Sequence, residues 1–334
     1  MVKHLAVVGA TGAVGREACA LLDERGLSVE TVTLLASARS AGTTIRVRGD
    51  DLEVRELGEG SFAGVDYALF SAGGDVSRAF APLAVKAGAV VIDNSSAFRM
   101  DPEVPLVVPE INPDDARDHQ GIIANPNCST IIMNMAIWPL HRVNPVRRIV
   151  VSTYQAVSGA GAAAIAELRS QSTAVLADQP AECRVFPHPV AFNVFSHDTP
   201  ISEDGYNTEE RKMVSETRKI FHAPSLAITA TCIRVPVFRA HSESINLTFT
   251  DPITPDEVRS ILAEAPGIEI VDDRVANRFP MPIDASGKDA CLVGRIRQDI
   301  SQPDGRGIDL FVSGDQIRKG AALNAIQIIE LLDG

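Results

Sequence analysis

Up to about residue 125 the chain alternates short, nearly continuous apolar runs with longer helix-like stretches; the runs are "HLAVVG", "VETVTLL", "YALFSA", "AVVIDN" and "GIIAN". Strands of this kind are apolar on both faces, and their separation by helices predicts a parallel sheet covered on both sides. Beyond Cys128 the texture changes. "RRIVVSTYQAV", "AITATCIRVPVF" and "SINLTFT" are longer and partly alternate, with the polar amphipathic stretch "TEERKMVSETRKIF" between them. That half reads as an α+β domain. The chain closes on "GDQIRKGAALNAIQIIELLDG", where Asp315 can cap a helix whose apolar residues Ile317, Leu323, Ile326 and Ile329 recur at helical spacing.

Composition narrows the picture. The chain has 334 residues, 45% hydrophobic and 22% charged, and at roughly 150 residues per domain two domains are expected. No apolar run approaches the ~18 residues of a membrane helix. "MVKHLAVVGA" has a lysine before an apolar stretch, but it runs straight into a glycine-rich turn and reads as a core strand, not a signal peptide. A net charge of −12 argues against nucleic-acid or anionic-membrane partners, so cations binding an anionic substrate must be local exceptions. Five dispersed cysteines without a CxxC pair fit free thiols in a reducing cytoplasm, with neither a disulfide framework nor a metal cage.

"VVGATGAVGREACALL" places Gly9, Gly12 and Gly15 directly after the first strand and into a helix. Glycines there permit a tight turn and let backbone N–H groups approach a pyrophosphate. The following strand ends in "LLASARSAG", with Ser37, Arg39 and Ser40 and no acid for the ribose hydroxyls. Hydroxyls and a guanidinium suit a 2′-phosphate, so NADP is expected over NAD.

In "IIANPNCSTIIMNM" Cys128 stands where a helix begins, a position that favours thiolate and offers N–H groups to an oxyanion. A buried structural cysteine is the competing reading. Alternation in "HSESINLTFT" turns His241 towards the same side as residues 245, 247 and 249, as acid/base or as a satisfied core residue. Arg234 lies in the apolar run "CIRVPV", where a guanidinium needs a carboxylate or phosphate, from a substrate or from the chain itself. The other six histidines take no role.

These residues sit within longer stretches, "GATGAVG", "VVIDNSSAFRMDPEVPLVVPEIN", "NPNCST", "STYQAVSGAG", "FPHPVAFN", "TCIRVPV" with "AHSES", and "GDQIRKGAALNAIQI". Together they resemble the aspartate-semialdehyde dehydrogenase family over nearly the whole chain. The resemblance implies NADPH-dependent reduction of L-aspartyl 4-phosphate to L-aspartate 4-semialdehyde and phosphate, on the way to lysine through diaminopimelate, threonine, methionine and isoleucine. It implies Cys128 as nucleophile with Asn127 beside it, His241 as acid/base and Gln155 as the residue orienting the acyl group. Arg234 would hold the substrate carboxylate, Glu209 its ammonium group, and Arg99 and Lys212 the phosphate. Gly9, Thr11, Gly12, Ala13, Val14, Ser37, Arg39, Ser40, Ser158, Gly159 and Gln316 would contact NADP. From the residues alone, Gln155, Glu209, Lys212 and Arg99 read as ordinary strand, helix-face and loop residues.

The implied architecture is α/β. A Rossmann-type domain spans 1–127, with 315–334 and the terminal helix packing back on it, and a catalytic and dimerisation domain spans 128–314, in a homodimer or homotetramer. One departure is Ala163, where the family often carries lysine after "SGAG". The rival readings are an N-acetyl-glutamyl-phosphate reductase, whose family shows a "GCYPT"-like segment where this chain has "NCST", and a non-catalytic nucleotide-binding regulatory protein.

Overall fold

The computed structural model describes residues 2–333, and its contacts divide the chain into two units, Met1–Asn127 with Gly320–Gly334, and Cys128–Lys319. The first unit contains β1 (Val2–Val8), α1 (Ala13–Arg25), β2 (Val29–Ala36), β3 (Thr44–Val47), β4 (Asp50–Glu56), β5 (Tyr67–Phe70), α2 (Gly74–Lys86), β6 (Val90–Asp93) and β7 (Ile122–Ala124). The second holds α3 (Cys128–Val143), β8 (Val146–Gln155), α4 (Ala162–Leu176), β9 (Phe195–Ser196), α5 (Thr208–Ile220), β10 (Ala227–Arg234) and β11 (His241–Phe249). It continues with α6 (Pro255–Ala263), β12 (Ile268–Ile270), α7 (Pro282–Ala285), β13 (Cys291–Gln298) and β14 (Gly307–Gly314), after which α8 (Leu323–Asp333) returns to the first unit.

Strands of the first unit run in the order β3-β4-β2-β1-β5-β6-β7 and are parallel except for the β3–β4 hairpin at one edge. Alternate residues of β1 enter different layers. Leu5 and Val7 pack with Leu21 and Leu22 of α1 and with Ile326 and Ile329 of α8. Ala6 and Val8 pack on the other side with Phe62, Phe70 and the α2 residues Ala81 and Ala84. The parallel sheet covered on both faces is therefore present. The terminal helix also docks as expected: Asn324 Nδ2 donates to Val107 O at 2.9 Å and Asn125 Oδ1 at 2.7 Å, and Arg25 pairs with Glu330 at 2.8 Å. Asp315 Oδ1 accepts from the N–H groups of Ile317 and Arg318, so it caps a widened turn over Arg318–Ala322 that leads into α8.

The second unit is built on a mixed sheet of order β12-β13-β14-β11-β8-β10-β9. α3, α5 and α6 cover one face. Along β8, Ile149, Val151, Thr153 and Gln155 are buried, whereas Arg148 and Tyr154 are exposed and Val150 and Ser152 half-buried. α5 begins with a reciprocal cap between Asn207 and Glu210, and Glu210 Oε1 also accepts from Cys232 N at 3.0 Å. That second bond fastens the start of α5 to β10.

Candidate active site

Strand register assembles the second unit's polar cluster. Gln155 pairs with Arg234 across β8–β10, and Tyr154 pairs with Ser242 across β8–β11. Arg234, Gln155 and His241 therefore form one transverse row on the helix-covered face, and their exposures are 3%, 2% and 0%. Two residues further along the strands, Cys232, Thr153 and Glu243 form a second row behind it.

Cys128 is the first residue of α3 and half-buried, with its Sγ 3.5 Å from His241 Nε2. The backbone N–H of Ala156 donates to His241 Nδ1 at 2.9 Å. Nδ1 must accept that bond, so in the neutral ring the hydrogen sits on Nε2, facing the sulfur. Burial, and then the charge of Arg234, hold the imidazole pKa down at about 3, which keeps the ring uncharged. Ahead of it, Ala240 adopts a left-handed φ of 71°, and its N–H donates to Gln316 Oε1 at 2.8 Å. Gln316 Nε2 donates in turn to Ser158 Oγ. A Cβ on Gly159 would lie 3.4 Å from His241 Cε1 and 3.7 Å from Arg234 Nη1, ordinary contact distances, so the Gly159 backbone lies against both side chains.

Gln155 Oε1 accepts from Thr153 Oγ1 at 3.1 Å, and its Nε2 donates to Glu209 Oε1 at 3.1 Å. Glu209 Oε2 accepts from Lys212 Nζ at 3.2 Å, one turn along α5. The Arg234 guanidinium donates from Nη1 to Ala156 O at 2.9 Å, and from Nη2 to His197 Nε2 at 2.9 Å and Asp198 Oδ1 at 3.3 Å. It lies 5.2 Å from the Phe186 ring centre, and its Nε–H is buried without a partner.

His197 and Asp198 belong to this cluster although nothing in their loop-like sequence context marks them. The available signal was the buried guanidinium itself, which needs acceptors. Glu243 was also overlooked, although the alternation that turns His241 inward turns it inward too. It is wholly buried, and neither carboxyl oxygen has a hydrogen-bond partner. Burial, reinforced by Glu209, raises its pKa well above the ordinary carboxylate value.

In the first unit, Gly9 has a φ of 84°, and a Cβ there would meet the Ser71 backbone at 2.8 Å. A Cβ on Gly15 would lie 2.3 Å from Gly9 O, so only glycine lets α1 start this close to β1. Gly12 caps α1, no side chain bonds there, and the first turn, which starts with Ala13 and Val14, has no acidic residue. That helix entry is a fit for an anionic pyrophosphate. Thr11 Oγ1 donates to Ser40 Oγ at 3.4 Å, joining the loop to the segment after β2, where Ser37 and Arg39 are exposed. Arg99 is buried and braces its own unit, donating from Nε to Asn125 O at 2.9 Å and from Nη2 to Asn94 O at 3.0 Å. Asn127 is buried at the end of the same unit. Among the described residues no group of His, Cys, Asp and Glu side chains is arranged to hold a metal ion, and no helix is long and apolar enough to cross a membrane.

A doubly covered parallel sheet with a glycine cradle, in a chain whose second unit sets a cysteine beside a histidine at a helix start, is the arrangement of a dinucleotide-dependent oxidoreductase. Family models agree. The one described as "Semialdehyde dehydrogenase, NAD binding domain" matches residues 4–119, and "Semialdehyde dehydrogenase, dimerisation domain" matches 137–319. The aspartate-semialdehyde dehydrogenase of Synechocystis sp. is 55% identical over 98% of this chain and 97% of its own length. The crystal structure of Vibrio cholerae aspartate semialdehyde dehydrogenase II complexed with ASA superposes with a TM-score of 0.97 at 46% identity, covering 100% of this chain and 98% of that one. The Candida albicans enzyme with NADP superposes with a TM-score of 0.77 at 25% identity, covering 100% and 99%. The chain belongs to the aspartate-semialdehyde dehydrogenase family.

Proposed function

We propose that the chain uses NADPH to reduce L-aspartyl 4-phosphate to L-aspartate 4-semialdehyde and phosphate, serving lysine, threonine, methionine and isoleucine synthesis. The observation that carries this reading is His241 Nε2 at 3.5 Å from Cys128 Sγ, in a row that ends at Arg234.

The Cys128 thiolate attacks the acyl carbon and phosphate leaves, giving a thioester. The dinucleotide, when bound, supplies the hydride that reduces the acyl group. The resulting hemithioacetal alkoxide collapses to the aldehyde and returns the electron pair to sulfur. In both additions negative charge grows on the acyl oxygen, and the neutral His241 Nε2–H is a fixed donor for it. Gln155, held by Thr153 and Glu209, orients the acyl group, with Asn127 beside the nucleophile. Arg234 takes the substrate α-carboxylate, for which its unpartnered Nε–H leaves a donor to spare. Glu209 takes the ammonium group, which makes an N-acylated substrate a poor match. Lys212 receives the departing phosphate, and Arg99 is assigned to the same anion from the family resemblance.

The cradle of Gly9, Gly12 and Gly15 fits a dinucleotide. Arg39 with Ser37 and Ser40, and no nearby acid, supports NADP, in keeping with the NADP bound by the Candida relative. Ser158, Gly159 and Gln316, gathered about His241, are assigned to the nicotinamide end. The uncovered face of the second sheet, including Tyr154, Val150 and Phe311, supports a homodimer, in keeping with the matched dimerisation domain. Among the described residues no cysteine is in a disulfide, which suits a cytoplasmic enzyme. The test is phosphate-dependent formation of NADPH from L-aspartate 4-semialdehyde. Saturable turnover is expected, and a folded protein that turns over only N-acetylglutamate semialdehyde, or neither compound, would overturn the reading.

A further inference from the structure

We propose that His197 is a positioning residue for Arg234: its uncharged Nε2 holds the guanidinium at the substrate carboxylate, and protonation of that nitrogen releases it. The proposal rests on the assignment of Arg234 to the substrate α-carboxylate.

Three acceptors fix the Arg234 guanidinium: Ala156 O on Nη1, and His197 Nε2 and Asp198 Oδ1 on Nη2. Of these only the imidazole can change from acceptor to donor near neutral pH. At 2.9 Å a guanidinium N–H leaves no room for a second hydrogen on Nε2, so the observed contact requires the neutral ring. The other ring nitrogen, Nδ1, lies 3.3 Å from Thr199 Oγ1 and 3.9 Å from Asp198 Oδ1. A protonated ring therefore has a carboxylate to turn to, the same one that steadies Arg234. One protonation withdraws the nitrogen acceptor and sets imidazolium and guanidinium in competition for Asp198.

The charged and titratable groups facing His197 are Arg234 on β10, Asp198 beside it, Glu209 and Lys212 on α5, and His241 on β11. Burial lowers the imidazole pKa from its ordinary value; Glu209 opposes this, Arg234 adds to it, Asp198 opposes and Lys212 adds. The neutral, holding form is thus the resting one at neutral pH, and release falls on the acid side of 6.5. The segment that carries His197 is tied to the guanidinium's strand, since β9 pairs Phe195 with Arg234.

The experiment measures KM for L-aspartate 4-semialdehyde, at saturating phosphate and NADP, from pH 8 to pH 5.5 in wild type, His197→Gln and His197→Leu. A glutamine amide oxygen accepts from Arg234 but does not titrate. In wild type, KM should be flat at the alkaline end and then rise on acidification, by at most about tenfold per pH unit for one ionisation. His197→Gln should match wild type at pH 8 and lack the acid rise. His197→Leu should show raised KM at every pH, with kcat changed much less. An acid rise that persists in His197→Gln, or a wild-type KM in His197→Leu, overturns the proposal while leaving the activity intact. Should His197→Leu fail to fold, the His197→Gln profile decides alone. A folded wild type without turnover at pH 8 overturns the functional reading, and this proposal with it.

Discussion

The amide of Ala156 donates to Nδ1 of His241 at 2.9 Å, and that bond decides which ring nitrogen presents a hydrogen to Cys128. A ring fixed in this way serves as a neutral donor, so His241→Asn should lower kcat by roughly 10²–10⁴-fold with little change in substrate KM. The kcat–pH profile of wild type should contain no step from this imidazole near its ordinary value of 6.5. The stability consequence has a definite sign. The folded ring resists protonation down to about pH 3, whereas the unfolded one accepts a proton near 6.5. Its contribution is present above 6.5 and is lost as pH falls towards 3. Melting temperatures of wild type and His241→Asn should converge in that window, and parallel curves would contradict the neutral-ring account.

Thiol reactivity separates Cys128 from the other four cysteines. Burial pushes the Cys19 thiol up to about 11 and raises that of Cys232 as well, and Cys291 is buried. Cys183 is exposed and is the real competitor. With its sulfur at the α3 N-terminus, Cys128 should react with iodoacetamide about tenfold faster or more, and substrate should protect it. Peptide mapping that finds Cys183 alkylated first would remove Cys128 as nucleophile.

Cofactor choice should follow Arg39. Removing a charge-assisted contact in Arg39→Ala is expected to raise KM for NADPH by about tenfold or more, with KM for NADH scarcely altered. A wild type equally fast with both cofactors would show that the segment after β2 does not select.

Glu243 supplies a stability test independent of turnover. Its folded pKa is raised, so stability is intact below the unfolded carboxyl range, near pH 4.3, and is lost as pH rises. Glu243→Gln keeps the shape without the charge. It should melt higher than wild type at pH 8, each kcal/mol being worth about 2–4 °C in a domain of this size, with the gap closing towards pH 5. Equal melting temperatures at pH 8 would mean that the carboxylate finds a partner when ionised.

Much of the fold is legible because strand and helix periods differ. Leu5 and Val7 in one layer, with Ala6 and Val8 in the other, are what an unbroken apolar strand requires. The β3–β4 hairpin is less visible, since each strand offers only two apolar residues, Ile45 with Val47 and Leu52 with Val54. Its Arg48–Gly49 turn has both φ angles positive, which suits a tight hairpin but is not announced by arginine. In the site, alternation alone turns His241 inward. What period cannot give is register: that Gln155 lies between Arg234 and His241 depends on β8 being flanked by β10 and β11, a pairing between segments far apart in sequence. His197 is less visible still, because its contact exists only once a two-residue strand has joined that sheet's edge.

The transverse row also makes turnover a gauge of assembly. Slipping β11 by one residue against β8 would carry His241 to the opposite face of the sheet and put Ser242 in its place. The strands would remain and their secondary-structure spectrum would scarcely change, yet the sulfur would face no imidazole. A refolded preparation can therefore look native to circular dichroism while its specific activity, per mole of protein, counts only the molecules whose sheet closed in the right register.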